Sequence, residues 1–324
     1  MSTEYGLVDV LDLEPVSEDF LAEVIAGLSS SPPSLPCKYF YDERGAQLFQ
    51  RISELPEYYI TRTETALLRH YGDEIAESIG SNAELVGFGT GAGTKTRMLL
   101  EHLENPIAYV PVDISKQRLI ESTTQLSRAM PGLDILPVCA DYLQPLRLPK
   151  PPRKPDHVAV YFPGSTIGNL EPAVATDFLR RVCRLCGKSG GLIIGVDLQK
   201  DRSVLEAAYN DSVGITAEFN LNLLVRANRE LGADFDLPLW RHRAIYNPPH
   251  SRIEMHLVSE AEQTVHIDTE EFPFHRGEKI ITEFSYKYTP ERFARLAVSA
   301  GFQLARVWTD PAQLFAVFHF TVAD

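Results

Sequence analysis

A short strand that runs into a glycine-rich turn and then into a helix constrains the fold of this chain more than any other feature. Glu84-Leu85-Val86 is the predicted strand, and residues 95–103 form the predicted helix. Between them lies Gly87-Phe88-Gly89-Thr90-Gly91-Ala92-Gly93, whose glycines let the backbone approach a ligand closely. This order is typical of the unit that binds a nucleotide-like ligand in α/β proteins.

An amphipathic helix is predicted at 63–79, before this turn, and strands and helices alternate after it. The predicted strands cover 107–112, 133–139, 157–162 and 191–196, and the predicted helices cover 115–130 and 171–186. Such alternation predicts a doubly wound, parallel α/β sheet with right-handed crossovers. A helix at 289–300 precedes two strands, 303–308 and 315–321, which are predicted to pair antiparallel at the sheet edge.

The alternation breaks in the middle of the chain, where one helix is predicted at 204–213 among polar strands. Residues 1–60 and 198–285 are predicted to form a second lobe that binds the substrate. Residues 61–197 and 286–324 are then the core that binds the cofactor.

The glycine spacing distinguishes between two kinds of cofactor. Dinucleotide enzymes favour G-x-G-x-x-G, with pyrophosphate on the helix N-terminus. The G-x-G-x-G spacing through Gly89 and Gly91 is common where S-adenosylmethionine, a nucleoside without phosphates, binds. Asp113 ends the second predicted strand, where a carboxylate grips ribose hydroxyls. Asp141 and Tyr142, after the third strand, suit an adenine amino group and its ring. With the C-terminal strand pair, these features predict a Rossmann-like class I methyltransferase.

Gly87 departs from this pattern, because class I methyltransferases usually carry Glu or Asp at that position. The acid normally organises the methionine end of the cofactor. This departure keeps open a catalytically inactive binding or regulatory protein. A separate alternative is a nucleotide-dependent oxidoreductase, for which the sequence offers no hydride-transfer residue.

Charge and cysteine content argue against several classes of function. The chain has 44 acidic and 31 basic residues and a net charge of −13, which opposes binding to nucleic acid or to an anionic membrane. Its four cysteines do not make a disulfide scaffold, and the lone pair Cys183 and Cys186 favours a packed helix face over a metal site. With no signal peptide pattern and no membrane-length apolar run, we expect a cytoplasmic monomer.

Polar residues in two segments are candidates for substrate contact. Asn169, after the fourth strand, could hold an amine or a carboxylate, or serve as a loop residue. Tyr209 is predicted to lie on a helix, where a buried tyrosine with a satisfied hydroxyl is the alternative. Glu283 and Ser285 would share one face of a strand, which suits either a grip on a small polar ring or a solvated surface.

Several segments carry a family-specific pattern, above all the strand-four loop Gly164-Ser165-Thr166-Ile167-Gly168-Asn169. The others are 38–42, 55–59, 61–64, 95–100, 217–222, 228–231, 252–255 and 282–285. On these segments the chain resembles, across nearly its whole length, the histidine Nα-methyltransferases of ergothioneine biosynthesis. The resemblance implies that three methyl groups pass from S-adenosylmethionine to the α-amino group of L-histidine. The products would be hercynine and S-adenosylhomocysteine, and no metal is implied.

The resemblance also implies roles for individual residues. Asn169 and Tyr209 would hold the substrate carboxylate, and Tyr41 would lie near the amino group. Glu283 and Ser285 would grip the imidazole. The remaining pocket residues would be Gly164, Thr166, Phe219 and Met255, and those at the cofactor would be Tyr59, Gly89, Lys95, Asp113, Asp141 and Tyr142.

The chemistry of methyl transfer gives Tyr41 and Asn169 catalytic roles. The amine must be neutral and aimed at the methyl group, so orientation supplies most of the rate. We expect Tyr41, or a water that it holds, to receive the amine proton. A methyltransferase for another aromatic amino acid is the alternative within this class, although the Glu283 and Ser285 pair favours histidine.

Overall fold

The computed structural model describes residues 10–13, 20–89, 91 and 93–323. Its strands are β1 (Leu11–Asp12), β2 (Ala83–Phe88), β3 (Ala108–Asp113), β4 (Asp134–Ile135), β5 (Val138–Cys139), β6 (His157–Phe162), β7 (Gly191–Asp197), β8 (Trp240–Asn247), β9 (Arg252–Ser259), β10 (Gln263–Ile267), β11 (Glu270–Phe274), β12 (Lys279–Tyr286), β13 (Phe302–Thr309) and β14 (Phe315–Val322). Its α-helices are α1 (Phe20–Leu28), α2 (Glu43–Glu54), α3 (Tyr59–Ile79), α4 (Thr94–His102), α5 (Lys116–Ala129), α6 (Pro172–Cys186), α7 (Arg202–Ala207), α8 (Ile215–Leu231) and α9 (Pro290–Ser299).

The large sheet has the strand order β1-β5-β3-β2-β6-β7-β14-β13, with β4 beside β3. β14 lies antiparallel between β7 and β13, and the ladders from β1 to β7 are parallel. The predicted doubly wound sheet and its antiparallel C-terminal pair are therefore confirmed. The chain order reverses between β2 and β6, so a ligand crevice opens beyond the carboxyl ends of these strands.

Side-chain caps explain why several predicted helices begin where they do. Ser115 accepts from the Arg118 N–H and begins α5, and Thr289 accepts from the Arg292 N–H and begins α9. These contacts satisfy N–H groups that the first turn of a helix leaves free. Cys183 and Cys186 lie on α6 as free thiols, as the helical reading of that pair predicted.

Three predicted elements were wrong in extent. The strand predicted at 133–139 is two short strands, because Pro137 between them has no N–H for a ladder. The helix predicted at 63–79 begins four residues earlier. The helix predicted at 204–213 ends at Ala207, so Tyr209 lies in the turn that follows and not on a helix.

Helix α8 was not among the predicted elements. Its N-terminus is held by the Asp211 carboxylate, which accepts from the N–H groups of Ile215 at 2.8 Å and Thr216 at 2.7 Å. Gly214, with φ of 79°, supplies the left-handed turn that separates α8 from α7. Asp211 and Gly214 are residues typical of a helix start, but Asp211 was included in the longer helix predicted at 204–213.

A smaller sheet, β12-β9-β8, lies beside the crevice. β12 is antiparallel to β9 and places Glu283 opposite Met255. The 3₁₀ turn Thr166–Asn169 packs on β12 so closely that a Cβ on Gly168 would lie 2.9 Å from the Tyr286 carbonyl oxygen. The loop after β6 and the polar face of β12 therefore meet at the crevice. None of the described helices has the length and apolarity to cross a membrane.

Candidate active site

The glycine turn after β2 adopts a conformation that favours glycine. Gly89, Gly91 and Gly93 have φ values of 57°, 58° and 76°, where most L side chains are strained. The Gly89 N–H donates to the Val112 carbonyl oxygen at 3.1 Å and ties the turn to the end of β3. Two residues of the predicted motif, Thr90 and Ala92, lie outside the described residues.

Acidic and aromatic side chains surround this turn. The Asp113 carboxylate accepts from the Ser115 N–H at 3.0 Å. Burial raises the pKa of this carboxyl, although the Ser115 N–H and the Arg118 guanidinium act to lower it. Asp141 accepts from the Leu143 N–H at 2.8 Å. A Cβ on Gly89 would lie 3.6 Å from the Tyr142 ring, so that ring covers the turn. The predicted cofactor residues Gly89, Gly91, Asp113, Asp141 and Tyr142 thus gather at the ends of neighbouring strands.

Lys95, in the first turn of α4, forms an ion pair with the fully buried Glu64 of α3. Both Glu64 oxygens also accept from the Gly164 N–H, at 2.9 and 3.1 Å. A Cβ on Gly195 would collide with the carboxylate, so Glu64 lies directly on the sheet. Gly87 pairs with Tyr161, whose pKa is raised by burial and by Glu64. The buried Glu64 carboxylate therefore lies near Gly87, the position at which class I methyltransferases usually carry an acid.

We expect Glu64→Gln to weaken S-adenosylhomocysteine binding by roughly tenfold, as for loss of one charge-assisted contact. Without the carboxylate, Lys95 and the Gly164 loop lose their shared anchor. Isothermal titration calorimetry measures the effect. Glu74→Gln, at an exposed position of the same helix, is the matched control. Equal affinities for the two variants would show that Glu64 does not shape the cofactor site.

Two adjacent tyrosines at the start of α3 have different partners. The Tyr59 hydroxyl donates to Asp197 at 2.8 Å and accepts from Lys200 at 2.7 Å, so the geometry gives no support to its predicted cofactor contact. The Tyr58 ring instead makes an edge contact with Tyr209, at a centroid distance of 6.2 Å. Tyr58 was not among the predicted site residues, although it lies in segment 55–59, which carries the family resemblance.

Aromatic rings form one wall of the predicted substrate site. Phe219 of α8 lies 5.8 Å from Tyr41 and 6.0 Å from Phe49, between ring centroids. Phe49 in turn contacts Tyr58, at 6.2 Å. The guanidinium of Arg118 lies 5.9 Å from the centroid of the Tyr41 ring. Arg118 was not among the predicted site residues.

The Glu283 carboxyl interacts electrostatically with the hydroxyls of Tyr41 and Tyr58. Burial raises its pKa to about 7, against the opposing effect of the Lys287 ammonium. The same carboxyl contributes to the raised pKa values of Tyr41, Tyr58 and Tyr209, in which burial is the larger cause. One partly desolvated carboxyl thus faces several phenols that keep their protons at neutral pH.

A network of buried charges lies behind the site. Asp197, at the end of β7, bonds Lys287 at 2.6 Å and Lys200 at 2.5 Å. Burial opposes ionisation of Asp197, but the two ammonium groups hold its pKa below the usual range. Lys287 also donates to Tyr209 and Ser285. The sequence analysis missed Lys287 and Asp197, although Lys287 continues the alternation of Glu283 and Ser285.

The loop after β6 is held from both sides. Gly164 has φ of 77° and donates its N–H to Glu64, while Ser165 Oγ accepts from the Asp197 N–H at 2.9 Å. Thr166 Oγ1 donates to the Pro163 carbonyl oxygen at 2.9 Å. Asn169 ends the 3₁₀ turn that packs on β12. These anchors bring the predicted residues Gly164, Thr166 and Asn169 to the crevice. Within the described residues, no cluster of three or more His, Cys, Asp or Glu side chains could hold a metal ion.

The sheet topology, the glycine turn and the acids at the strand ends define a class I methyltransferase. A family model described as histidine-specific, S-adenosylmethionine-dependent methyltransferase matches residues 20–322. The chain is 38% identical over 318 residues to a histidine N-alpha-methyltransferase of Mycolicibacterium smegmatis, covering 96% of this chain and 98% of that protein. A protein of the same description from Mycobacterium tuberculosis is 38% identical over 300 residues, covering 91% of this chain and 92% of that protein. Ergothioneine biosynthesis protein 1 of Neurospora crassa is 30% identical over 324 residues, covering 93% of this chain and 35% of that protein. The chain therefore belongs to the family of histidine-specific, S-adenosylmethionine-dependent methyltransferases.

Proposed function

We propose that this protein transfers three methyl groups in succession from S-adenosylmethionine to the α-amino group of L-histidine. The product is hercynine, and the reaction is the first step of ergothioneine biosynthesis. The observation that carries the proposal is the Glu283 carboxyl, which lies two residues from Ser285 on β12 and interacts electrostatically with Tyr41, Tyr58 and Tyr209. A carboxyl and a hydroxyl in an aromatic pocket suit the two nitrogens of an imidazole. The relatives support the same substrate.

We assign the cofactor to the glycine turn and the acids beside it. Gly89 and Gly91 let the backbone approach it, Asp113 holds the ribose, and Asp141 with Tyr142 contacts the adenine. S-adenosylmethionine supplies a methyl group on a sulfonium. We assign Lys95 to the methionine end of this cofactor. Tyr59 remains a proposed cofactor contact, although its hydrogen bonds to Asp197 and Lys200 do not support it.

The substrate residues divide by the part of histidine that they hold. Asn169 and Tyr209 are assigned to the carboxylate, and Glu283 and Ser285 to the ring. The pocket is completed by Gly164, Thr166, Phe219 and Met255. Because Asn169 and Tyr209 are neutral, they do not raise the pKa of the substrate amine as a neighbouring anion would.

The raised pKa of Tyr41 changes the role that we propose for it in removing the proton of the substrate amine. Burial raises its pKa well above the usual value, with Glu283 adding to the effect, so the phenol keeps its own proton and is a poor acceptor. We propose that a water held by Tyr41 takes the proton instead. Tyr41→Phe is expected to move the acid limb of the pH profile for the first methylation to higher pH. Single-turnover rates across pH measure this limb, and an unchanged profile would remove Tyr41 from the proton path.

We also propose a division of the chain. Residues 61–197 and 286–324 carry the cofactor, and residues 1–60 and 198–285 hold the substrate, with the correction that Leu11–Asp12 form β1 at the edge of the large sheet and so belong to the cofactor core. The acidic net charge opposes nucleic-acid and anionic membrane partners, and we propose a cytoplasmic monomer that takes a small-molecule substrate.

Two measurements test the function. Calorimetry with S-adenosylhomocysteine establishes cofactor binding, and mass spectrometry of a reaction with L-histidine and S-adenosylmethionine should show products with one, two and three added methyl groups. Parallel reactions with tryptophan and phenylalanine test the alternative substrate class. Faster methylation of either one than of histidine would contradict the proposal.

A further inference from the structure

A fully buried ammonium group lies behind the proposed substrate pocket. Lys287 Nζ lies 2.6 Å from Asp197 Oδ2, 2.9 Å from the Tyr209 hydroxyl and 2.8 Å from Ser285 Oγ. An ammonium has three donors and no acceptor, so these partners use all of its protons. Lys287 therefore acts on a substrate through the groups that it touches and not by direct contact.

The two hydroxyls that accept from Lys287 are also bonded to each other. Tyr209 Oη and Ser285 Oγ are 2.8 Å apart. Each hydroxyl has one proton and two acceptor lone pairs. One of the two donates to the other, so a single hydroxyl proton is left to point into the pocket. The cation behind both oxygens repels that proton and turns it outward.

Two proton arrangements satisfy these contacts. When Ser285 donates to Tyr209, the phenol points its proton into the pocket, and Ser285 keeps one lone pair for an N–H. When Tyr209 donates to Ser285, the phenol presents only an oxygen lone pair, which repels a carboxylate. A carboxylate beside Tyr209 therefore selects the first arrangement, and that arrangement makes Ser285 an acceptor.

We propose that Lys287 is a positioning residue that makes Tyr209 a donor to the substrate carboxylate and Ser285 an acceptor from an imidazole N–H. The inference rests on the proposed function, in which L-histidine is the substrate. It has a consequence for the ring: one nitrogen donates to Ser285, so the other nitrogen and the Glu283 carboxyl share one proton. The site then selects a ring that carries an N–H at a defined nitrogen.

The test compares two ligands on two lysine variants by calorimetry in the presence of S-adenosylhomocysteine. Histamine has the ring and the amine of histidine but no carboxylate, so the ratio of its Kd to that of L-histidine measures the carboxylate contacts. In Lys287→Gln this ratio should fall roughly tenfold or more, which is the effect of one hydrogen bond to a charged group.

Lys200→Gln is the matched control. Lys200 also bonds Asp197, and its other partners are the Tyr59 hydroxyl and the Leu198 carbonyl oxygen. Its loss removes a buried charge from the same carboxylate, and the ligand ratio should keep its wild-type value. An unchanged ratio in Lys287→Gln, or an equal fall in both variants, would overturn the proposal.

Ser285→Ala keeps the proposal testable if Lys287→Gln does not fold, as judged by its circular dichroism melt. Tyr209 then still accepts from Lys287 and still points its proton outward. Both Kd values should rise because the ring contact is lost, but their ratio should stay within about threefold of wild type. A larger fall in the ratio contradicts the proposed direction. Failure of the proposed function is a separate result, because wild-type protein would then not bind L-histidine.

Discussion

Glu283→Ala will weaken L-histidine binding by about 100-fold while leaving S-adenosylhomocysteine binding within about threefold of wild type. The carboxyl is the charged partner of the proposed ring site, and its loss leaves a ring N–H without an acceptor in a desolvated pocket. A site that no longer requires a ring N–H also discriminates less against tryptophan and phenylalanine. Calorimetry with each amino acid measures both effects.

The control for this variant is Glu262→Ala. Glu262 is an exposed carboxylate that pairs with His275, so the same substitution there should leave the Kd of L-histidine unchanged. If Glu283→Ala bound histidine as tightly as Glu262→Ala does, the ring would not lie at Glu283. The assignment of substrate and site would then fail together.

The pH dependence of histidine binding follows from the same carboxyl. Its pKa is about 7, and a free imidazole has a pKa of about 6.5. Because ring and carboxyl share one proton when bound, affinity should fall below this range, where both are protonated, and above it, where neither is. Glu283→Gln should lose the alkaline limb, since its amide N–H can donate to a neutral ring at high pH. A retained alkaline limb would place the titrating group elsewhere.

Asp197→Asn will lower the free energy of unfolding by about 3–5 kcal/mol, the range for removal of one partner from a buried ion pair. The substitution leaves the buried ammonium groups of Lys287 and Lys200 without their anion. Urea unfolding measures the loss. The exposed pair of Asp177 and Arg180 provides the control, because Asp177→Asn should cost less than about 0.5 kcal/mol.

The sign of the pH effect at Asp197 is also defined. Its pKa is lowered in the folded protein, so its stabilisation is present above the unfolded pKa of about 3.9 and is lost as the pH falls through the folded pKa. Wild-type protein should therefore lose part of its stability advantage over Asp197→Asn in acid. A difference that stays constant down to the acid transition would show that charge is not the cause.

The sequence specified the parts of the site that depend on local geometry. The glycine turn, the acids that end β3 and β5, and the caps Ser115 and Thr289 act through the backbone of their own neighbourhood. Their spacing along the chain therefore predicts their positions. The face shared by Glu283 and Ser285 follows in the same way from the two-residue period of a strand.

Contacts between distant segments could not be predicted in this way. Asp197 and Lys287 are far apart in sequence, and they meet because the chain after β12 pairs with the chain after β7, through a bridge between Leu198 and Tyr288. Tyr58 and Tyr59 make the same point at the start of α3. Tyr58 lies just before the helix and Tyr59 is its first residue, and tertiary packing decides that the Tyr58 ring contacts Tyr209 while the Tyr59 hydroxyl bonds Asp197.

The class of fold and the residues proposed for the cofactor and the substrate thus follow from the sequence alone. Which buried charges lie behind the proposed substrate site, and which hydroxyls they contact, depends on the tertiary fold. The two kinds of feature differ in range along the chain. Turns, caps and strand periodicity are set by residues a few positions apart, whereas desolvation and charge pairing depend on which segments the fold packs together.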